Sequence, residues 1–311
     1  MSVGALPRAD TDERSSRFKE WLPSREYSIV LAFIAVPLIY EAFWVFWPAI
    51  RTAYISLTDW SGGTSSNFVG LDNYRRMPND PVFRQAFGNT IIWVAGYGTL
   101  IVVLGLALAM VLQSQRRGIA FYRAAIYLPM VFSLVVTGLF WRVLYYPNGP
   151  VNTTLGGIGL ESWQRQWLAD PTFALYAVMV AAIWRGVGYI MVLYLAGLKA
   201  TDPQLNEAAQ LDGCSPWKAF RYVIFPQLKP VHTVVLSVAM IDSLRTFDIV
   251  FTMTRGGPYN SSELLSSYMF QRTFTSLQYG YGSALAVVIF LMTVVFIGVY
   301  LRRAEPKDTA S

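Results

Sequence analysis

A polar stretch between two apolar blocks, residues 201–226, carries residue types suited to binding another protein. Asp202 and Ser215 each precede a proline, an arrangement typical of helix N-termini. Gly213 lies between them and can adopt the positive φ that ends a helix. The spacing therefore predicts two short helices joined by a tight turn.

The first of these helices would carry Glu207, Ala208 and Ala209. Two small side chains beside an acid make a narrow helix that can enter a cleft on a second protein. Glu207 would then pair with an arginine or lysine on the wall of that cleft. The alternative is an ordinary capped helix that lies on a membrane surface, and the residue types by themselves leave both open.

Ionisable side chains are costly inside apolar blocks, and six occur there: Glu41, Arg142, Arg185, Asp242, Arg245 and Asp248. The last three stand three residues apart, so on one helix they would form a self-neutralising stripe. Alternatively, this stripe faces a path for a polar solute, beside the aromatic rings of Trp184, Tyr189 and Phe247. Arg185 and Arg245 also suit a phosphate-bearing solute such as a glycerophosphodiester.

Several kinds of chemistry are excluded by composition. The chain has one cysteine, Cys214, and one histidine, His232, which rules out an internal disulfide and most Cys or His metal sites. It has no Gly-Lys-Ser/Thr sequence, so the loop that cradles nucleotide phosphates is absent. We expect no enzyme activity and no cofactor or metal bound by this chain.

The elements that carry these residues are predicted to be membrane helices. The 311 residues are 54% hydrophobic and 14% charged, and six apolar blocks are long enough to cross a bilayer. The blocks cover residues 28–50, 89–112, 122–146, 172–198, 230–251 and 280–301. We predict an all-α integral membrane protein with a leader (1–27), a six-helix domain (28–301) that includes the 199–229 loop, and a tail (302–311).

The distribution of basic residues predicts the orientation. With the N-terminus inside, the inner segments hold 15 Lys and Arg, against 7 in the outer segments. Both termini and the 199–229 loop are therefore predicted to be cytoplasmic. The basic residues behind the net charge of +6 fall mainly between the long apolar blocks. This pattern indicates a membrane protein and not a nucleic-acid binder.

Six motifs in this order resemble the binding-protein-dependent ABC transporter permeases, in particular the maltose- and glycerol-phosphate-type permeases of the carbohydrate-uptake branch. The central motif is Glu207-Ala208-Ala209, followed by Gly213 and by Val223-Ile224-Phe225-Pro226, which is similar to the EAA loop of that family. The others are Asn67-Phe68-Val69-Gly70-Leu71-Asp72-Asn73-Tyr74, Trp184-Arg185-Gly186-Val187-Gly188-Tyr189, Ala196-Gly197-Leu198, Phe247-Asp248 and Thr254-Arg255-Gly256-Gly257-Pro258.

The resemblance implies the pore-forming subunit of an importer in a bacterial inner membrane. It assigns contact with the ATP-binding subunits to residues of the EAA loop, namely Glu207, Ala208, Ala209, Asp212, Gly213 and Pro226. The implied partners are a second homologous permease subunit, two ATP-binding subunits that hold ATP and Mg, an extracellular solute-binding protein and membrane lipid. A solute path would involve Trp184, Arg185, Tyr189, Asp242, Arg245, Phe247 and Asp248.

Two other classes of membrane protein fit the sequence less well. A secondary transporter driven by an ion gradient usually has matched inverted halves with Gly- or Pro-broken spans, and the sequence shows no such halves. A membrane-embedded enzyme would need a catalytic constellation in or beside its spans, and no motif supports one. The importer subunit is the prediction, with the secondary transporter as the alternative.

Overall fold

The computed structural model describes residues 25–114 and 117–304. Its regular elements within these ranges are helices, and one isolated antiparallel bridge joins Thr58 to Phe68. The chain divides into two units, residues 1–54 and residues 55–311. The prediction of an all-helical protein is confirmed for the described ranges, whereas residues 1–24 of the leader and 305–311 of the tail lie outside them.

The first unit is a long apolar helix with one irregular turn. It comprises α1 (Arg25–Glu41), a π-helical turn (Ala42–Phe46) and α2 (Trp47–Ile55), whose last residue belongs to the second unit. Residues 33–55 are long and apolar enough to cross a membrane. Phe33 is 82% exposed, and such a helix with apolar residues all round is suited to lipid.

The second unit continues with helices of very different length. In chain order they are α3 (Asp72–Arg76), α4 (Pro81–Leu112), α5 (Ile119–Tyr127), α6 (Leu134–Leu144), α7 (Pro150–Gly157), α8 (Ala174–Lys199), α9 (Pro203–Leu211), α10 (Pro216–Ala219), α11 (Phe225–Gln227), α12 (Lys229–Arg245), α13 (Asp248–Met253), α14 (Leu265–Phe270) and α15 (Tyr279–Ala304). A π-helical turn (Phe220–Ile224) joins α10 to α11 without a break, and another (Gln271–Thr275) extends α14.

The core of the second unit lies where α4 packs against α8. Trp93 of α4 and Met191 and Tyr194 of α8 are fully buried there. Gly105 of α4 faces Ile190, and a Cβ at Gly105 would stand 2.5 Å from the Ile190 Cγ2 atom. Only glycine fits this contact, and small residues at helix crossings are what allow membrane helices to pack closely.

The second predicted span begins earlier than the apolar block indicates. Helix α4 starts at Pro81 and not near residue 89. The Asp80 carboxylate accepts hydrogen bonds from the backbone N–H groups of Val82 (3.0 Å) and Phe83 (3.3 Å). This cap stabilises a first turn that contains the charged Arg84, so hydrophobicity alone placed the boundary too late.

The third and fifth predicted spans are not single straight helices. Residues 119–131 and 134–144 are bent by 102° at a break near Ser133, whose hydroxyl caps α6 at the Val136 N–H. The fifth predicted span (230–251) is interrupted after Arg245, because Thr246 has an extended backbone and α13 begins at Asp248. Helix α12 is also bent by 74° relative to residues 216–227, which precede that span. The described ranges thus hold four helices able to cross a membrane, or up to six if each bent pair is one span.

Candidate functional site

The polar stretch after α8 forms the two short helices that its capping residues predict. Asp202 accepts a hydrogen bond from the Gln204 N–H (2.8 Å) at the start of α9. Ser215 caps α10 at the Lys218 N–H (3.4 Å). Gly213, with φ of 75°, makes the turn between them. Local sequence therefore determines the shape of this segment, which we call the α9–α10 segment (residues 201–219).

The α9–α10 segment presents a mixed polar and apolar surface. Glu207, Ala208 and Asp212 are exposed, and so is Pro226 in the continuing helix α11. Large apolar side chains are exposed beside them, with Leu211 at 89% and Trp217 at 69% exposure. These exposed apolar side chains make the segment a candidate surface for another protein.

One residue of the predicted contact motif points the other way. Ala209 is only 8% exposed and packs inward, so of the two alanines only Ala208 belongs to the outer surface. The Cys214 N–H donates to the Ala209 carbonyl (3.0 Å) as the helix ends. Ala209 is therefore buried within this chain, and its contact with an ATP-binding subunit stays a prediction.

The α9–α10 segment is tied to the long helices behind it. The Asp202 N–H donates to the Gln227 side-chain oxygen (2.9 Å), which links the start of α9 to the end of α11. The Phe225 ring lies 4.6 Å from the His232 ring of α12. His232 Nδ1 in turn lies 2.6 Å from the hydroxyl oxygen of Tyr194 in α8. Movement of the segment would therefore reach both α8 and α12.

Sequence reasoning missed this aromatic chain. The Nδ1 atom of His232 has a partner in Tyr194, and its Nε2 atom is buried without a hydrogen-bond partner among the described residues. The signal that could have indicated a packing role is the pairing of a histidine at the start of an apolar block with a nearby aromatic cluster. A cavity of about 460 Å³ lies close by, between the end of α4 and helix α10.

Among the predicted path residues, Arg185 contacts protein carbonyls. Its Nε donates to the Phe132 carbonyl (3.0 Å), and an Nη donates to the Met130 carbonyl (3.5 Å). These two carbonyls lie at the break between α5 and α6, where the regular helical hydrogen bonds end. Trp184 stacks on the Phe140 ring at 5.8 Å on the far side of the same break.

The predicted stripe of Asp242, Arg245 and Asp248 is wrong as a single-helix arrangement. Helix α12 ends at Arg245, Thr246 has an extended backbone, and Asp248 is the first residue of α13. Asp242 interacts electrostatically with Arg245 and with Arg185 of α8. The fold therefore gathers Arg185, Asp242 and Arg245 and places Asp248 on another element.

The remaining path residues are partly buried and lie on different elements. Tyr189 packs against the core of the second unit. Phe247 stacks with Phe251 (5.2 Å) and Phe270 (4.6 Å) in an aromatic cluster formed by α13 and α14. The aromatic faces predicted for a solute path are thus divided between the α5–α6 break and this second cluster.

These features define a class of protein. The described residues include apolar helices of membrane length that carry a small set of ionisable residues. A polar helical segment with exposed apolar side chains is linked through Phe225 and His232 to α12 and α8. Within the described residues, no group of His, Cys, Asp and Glu is placed to hold a metal ion. The class is a multi-pass membrane protein.

Comparison with known proteins identifies the family. The family model for the binding-protein-dependent transport system inner membrane component matches residues 101–304. The chain belongs to this family of ABC transporter permeases, which are membrane channel subunits of the inner membrane and not enzymes.

Named relatives agree with this assignment. The chain is 34% identical to the lactose transport system permease protein LacF of Rhizobium radiobacter, over 87% of this chain and 93% of that protein. It is 32% identical to the sulfoquinovosyl glycerol transport system permease protein SmoG of Agrobacterium fabrum, over 99% and 100%. In fold it resembles a bacterial alginate ABC transporter solved with an alginate pentasaccharide-bound periplasmic protein, with a TM-score of 0.79, 18% identity and coverage of 90% and 95%.

Proposed function

We propose that this chain is the pore-forming permease subunit of an ATP-driven importer that takes up a sugar or a sugar-like solute. Relatives with full-length similarity are named for lactose and for sulfoquinovosyl glycerol, both of which contain a sugar. The observation that carries the proposal is the exposed α9–α10 segment, which is linked through Gln227 and His232 to the long helices.

Six spans result in this proposal if residues 119–144 form one bent span and α12, from Lys229, begins another. Residues 216–227 then precede the fifth span, on the same side as the α9–α10 segment. With six spans and the excess of basic residues inside, both termini and the α9–α10 segment lie in the cytoplasm. The segment is then on the side where ATP-binding subunits reside.

The proposed complex contains four further kinds of component. A second homologous permease subunit completes the pore, and two ATP-binding subunits hold ATP and Mg and contact the α9–α10 segment. An extracellular binding protein delivers the solute to the outer loops, and lipid surrounds the apolar helices. The exposed Glu207, Leu211 and Trp217 offer one charged and two apolar contacts to an ATP-binding subunit.

The solute path is proposed to pass the gathered charges of α8 and α12. Asp242 and Arg245 are exposed and differ in sign, so together they can donate to and accept from hydroxyl groups. Aromatic rings stand close to these charges in the sequence, with Trp184 and Tyr189 on either side of Arg185 and with Phe247 shortly after Arg245. Arg185 contributes by holding the helix break, because its guanidinium already donates to two carbonyls.

The contact role of the α9–α10 segment is tested by reversing the charge of Glu207. We expect Glu207→Arg to lower ATP-dependent sugar uptake by about tenfold or more, because like charges would meet in the contact. Uptake is measured in proteoliposomes that contain the full complex and binding protein, with lactose and maltose as probes. Co-purification of the ATP-binding subunit is quantified in parallel.

The matched control is Glu161→Arg, which makes the same charge change at an exposed residue of another loop. It should retain the co-purified ATP-binding subunit, because Glu161 lies in an outer loop on the opposite side of the membrane from the α9–α10 segment. Uptake and co-purification at the wild-type level in Glu207→Arg would contradict the contact role. Uptake that depends on an ion gradient and not on ATP would favour the secondary transporter. Uptake of a glycerophosphodiester but of no sugar would favour a phosphate-bearing solute.

A further inference from the structure

A rigid turn after α13 contributes to a polar pocket whose lining residues do not include the charges of α8 and α12. Arg255 (φ 52°) and Gly256 (φ 82°) adopt left-handed backbone conformations there. The Asn89 side-chain amide of α4 donates to the backbone carbonyls of Ser261 (3.0 Å) and Glu263 (2.9 Å). The backbone of the turn is therefore fixed to a long helix before any ligand arrives.

The pocket has a volume of about 190 Å³. Its walls combine one acid, one base, an amide, two hydroxyls and one aromatic ring, which belong to Glu263, Arg255, Gln271, Ser267, Thr275 and Phe251. Hydroxyl-rich ligands need both donors and acceptors together with an aromatic face for their C–H groups. This set of side chains provides all three.

The acid of this pocket is buried and held in position. Glu263 is 2% exposed, and its Oε1 atom accepts a hydrogen bond from the Ser267 hydroxyl. A Cβ at position 256 would stand 1.8 Å from Glu263 Oε2, so glycine is required there for the carboxyl to fit. Burial raises the pKa of Glu263 from its usual value, and the hydrogen bond from Ser267 acts in the opposite direction.

The base and the acid of the pocket do not neutralise each other. Ion pairs among the described residues are recorded for Arg75 with Asp72 and for Arg272 with Asp80, and neither involves Arg255 or Glu263. The Arg255 guanidinium lies 5.8 Å from the centre of the exposed Phe251 ring. Its N–H groups therefore remain available to a ligand in the cavity.

We propose that this pocket is a subsite for one ring of the transported sugar, separate from the charges of α8 and α12. An isolated phosphate fits less well, since the carboxyl of Glu263 would oppose a second anion. The segment belongs to a loop that the basic-residue distribution places outside, so the subsite would receive solute before the membrane path. The inference rests on the proposed importer function.

The first test measures whether sugar protects the pocket from a reagent. Thr275→Cys places a thiol in the wall, and Ser276→Cys places one on the exposed neighbour outside it. Alkylation at each position is quantified by peptide mass spectrometry in the reconstituted complex. The probe is lactose, maltose or raffinose, whichever shows ATP-dependent uptake, and inorganic phosphate is the anion comparison.

At a probe concentration ten times its dissociation constant, alkylation of Thr275→Cys should slow about tenfold, whereas Ser276→Cys should react at an unchanged rate. Equal rates with and without a sugar that is actively taken up would overturn the subsite and leave the importer function intact. Protection by phosphate alone would also overturn it. Absence of ATP-dependent uptake for every sugar would contradict the proposed function itself.

The second test separates binding from turnover. Gln271→Ala removes one exposed amide and should raise the KM for uptake about fivefold, the effect of one lost hydrogen bond, with the maximal rate retained. Ser276→Ala should leave both values unchanged. A Gln271→Ala variant with wild-type KM and an unprotected Thr275→Cys would together exclude a sugar in this pocket.

Discussion

Asp80 joins three parts of the second unit through one carboxylate. Its Oδ1 caps α4, while its Oδ2 accepts hydrogen bonds from the hydroxyls of Tyr268 and Tyr281 (2.9 Å for the latter). Arg272 lies 3.8 Å from the same oxygen. The partners follow Asp80 by about two hundred residues in the chain, so a single acid holds the ends of α4, α14 and α15 together.

The charge of Asp80 is expected to stabilise the fold. Burial raises its pKa, but hydrogen bonds from Tyr268, Tyr281 and the backbone of Phe83 and Val82 outweigh burial, and the pKa lies below the usual value. Because the folded pKa is the lower one, the stabilisation is complete above the unfolded pKa of about 3.9 and is lost as pH falls through the folded pKa.

Replacement of this acid should therefore be costly. We expect Asp80→Asn to destabilise the protein by about 1–3 kcal/mol, because the tyrosine hydroxyls and Arg272 lose a charged acceptor. Thermal unfolding of the purified protein in detergent at pH 7 measures the change. Asp72→Asn is the control, since its ion pair with Arg75 is largely exposed and should contribute almost nothing. Equal midpoints for the two variants would refute this account of Asp80.

At the scale of elements, the break between α5 and α6 divides the span that the sequence predicts over residues 122–146 into two helices. Pro129 lies in a 3-10 turn that ends α5, and Ser133 starts α6 after a bend of 102°. A broken helix leaves carbonyls without partners, which is expensive in lipid unless a donor is supplied. Arg185 of α8 supplies that donor from 53 residues away.

Loss of the Arg185 hydrogen bonds should destabilise the break between α5 and α6 and thereby reduce transport. We expect Arg185→Gln to lower the thermal midpoint and to reduce uptake, with Arg185→Lys intermediate because an ammonium cannot fork between two carbonyls in the same way. Arg142→Gln is the comparison, since Arg142 makes one recorded hydrogen bond of 3.4 Å. If Arg185→Gln changed only the KM for solute and not the thermal midpoint, Arg185 would bind solute and would not stabilise the helix break.

At the scale of the whole molecule, orientation in the membrane determines what each surface can meet. The positive-inside distribution predicts that Cys214 in the α9–α10 segment is cytoplasmic and that Tyr259 is outside. Tyr259 is 88% exposed at the tip of the rigid turn. The chain has one native cysteine, so a second can be introduced and followed separately.

Labelling with a membrane-impermeant maleimide tests this orientation. In intact cells, Tyr259→Cys should react while Cys214 does not, and both should react after detergent permeabilisation. The labelled peptides are distinguished by mass spectrometry. Reaction of Cys214 in intact cells, with Tyr259→Cys protected, would invert the topology and place the α9–α10 segment on the wrong side for an ATP-binding subunit.

The sequence by itself determined the class, the family resemblance and the local shape of the α9–α10 segment. These depend on residue type and short-range spacing: apolar blocks of membrane length, a proline after a capping residue, and Gly213 where a positive φ is needed. Local hydrogen bonds and hydrophobicity act within a few residues, so a linear reading captures them.

Only the tertiary structure decided which distant residues meet. It placed Arg185 on the break carbonyls, separated Asp248 from Asp242, turned Ala209 inward and assembled the pocket of Arg255 and Glu263. Each of these outcomes depends on how long helices pack and where they bend, and packing follows from the shapes of surfaces contributed by separated parts of the chain. Residue types and their short-range spacing do not reveal that geometry.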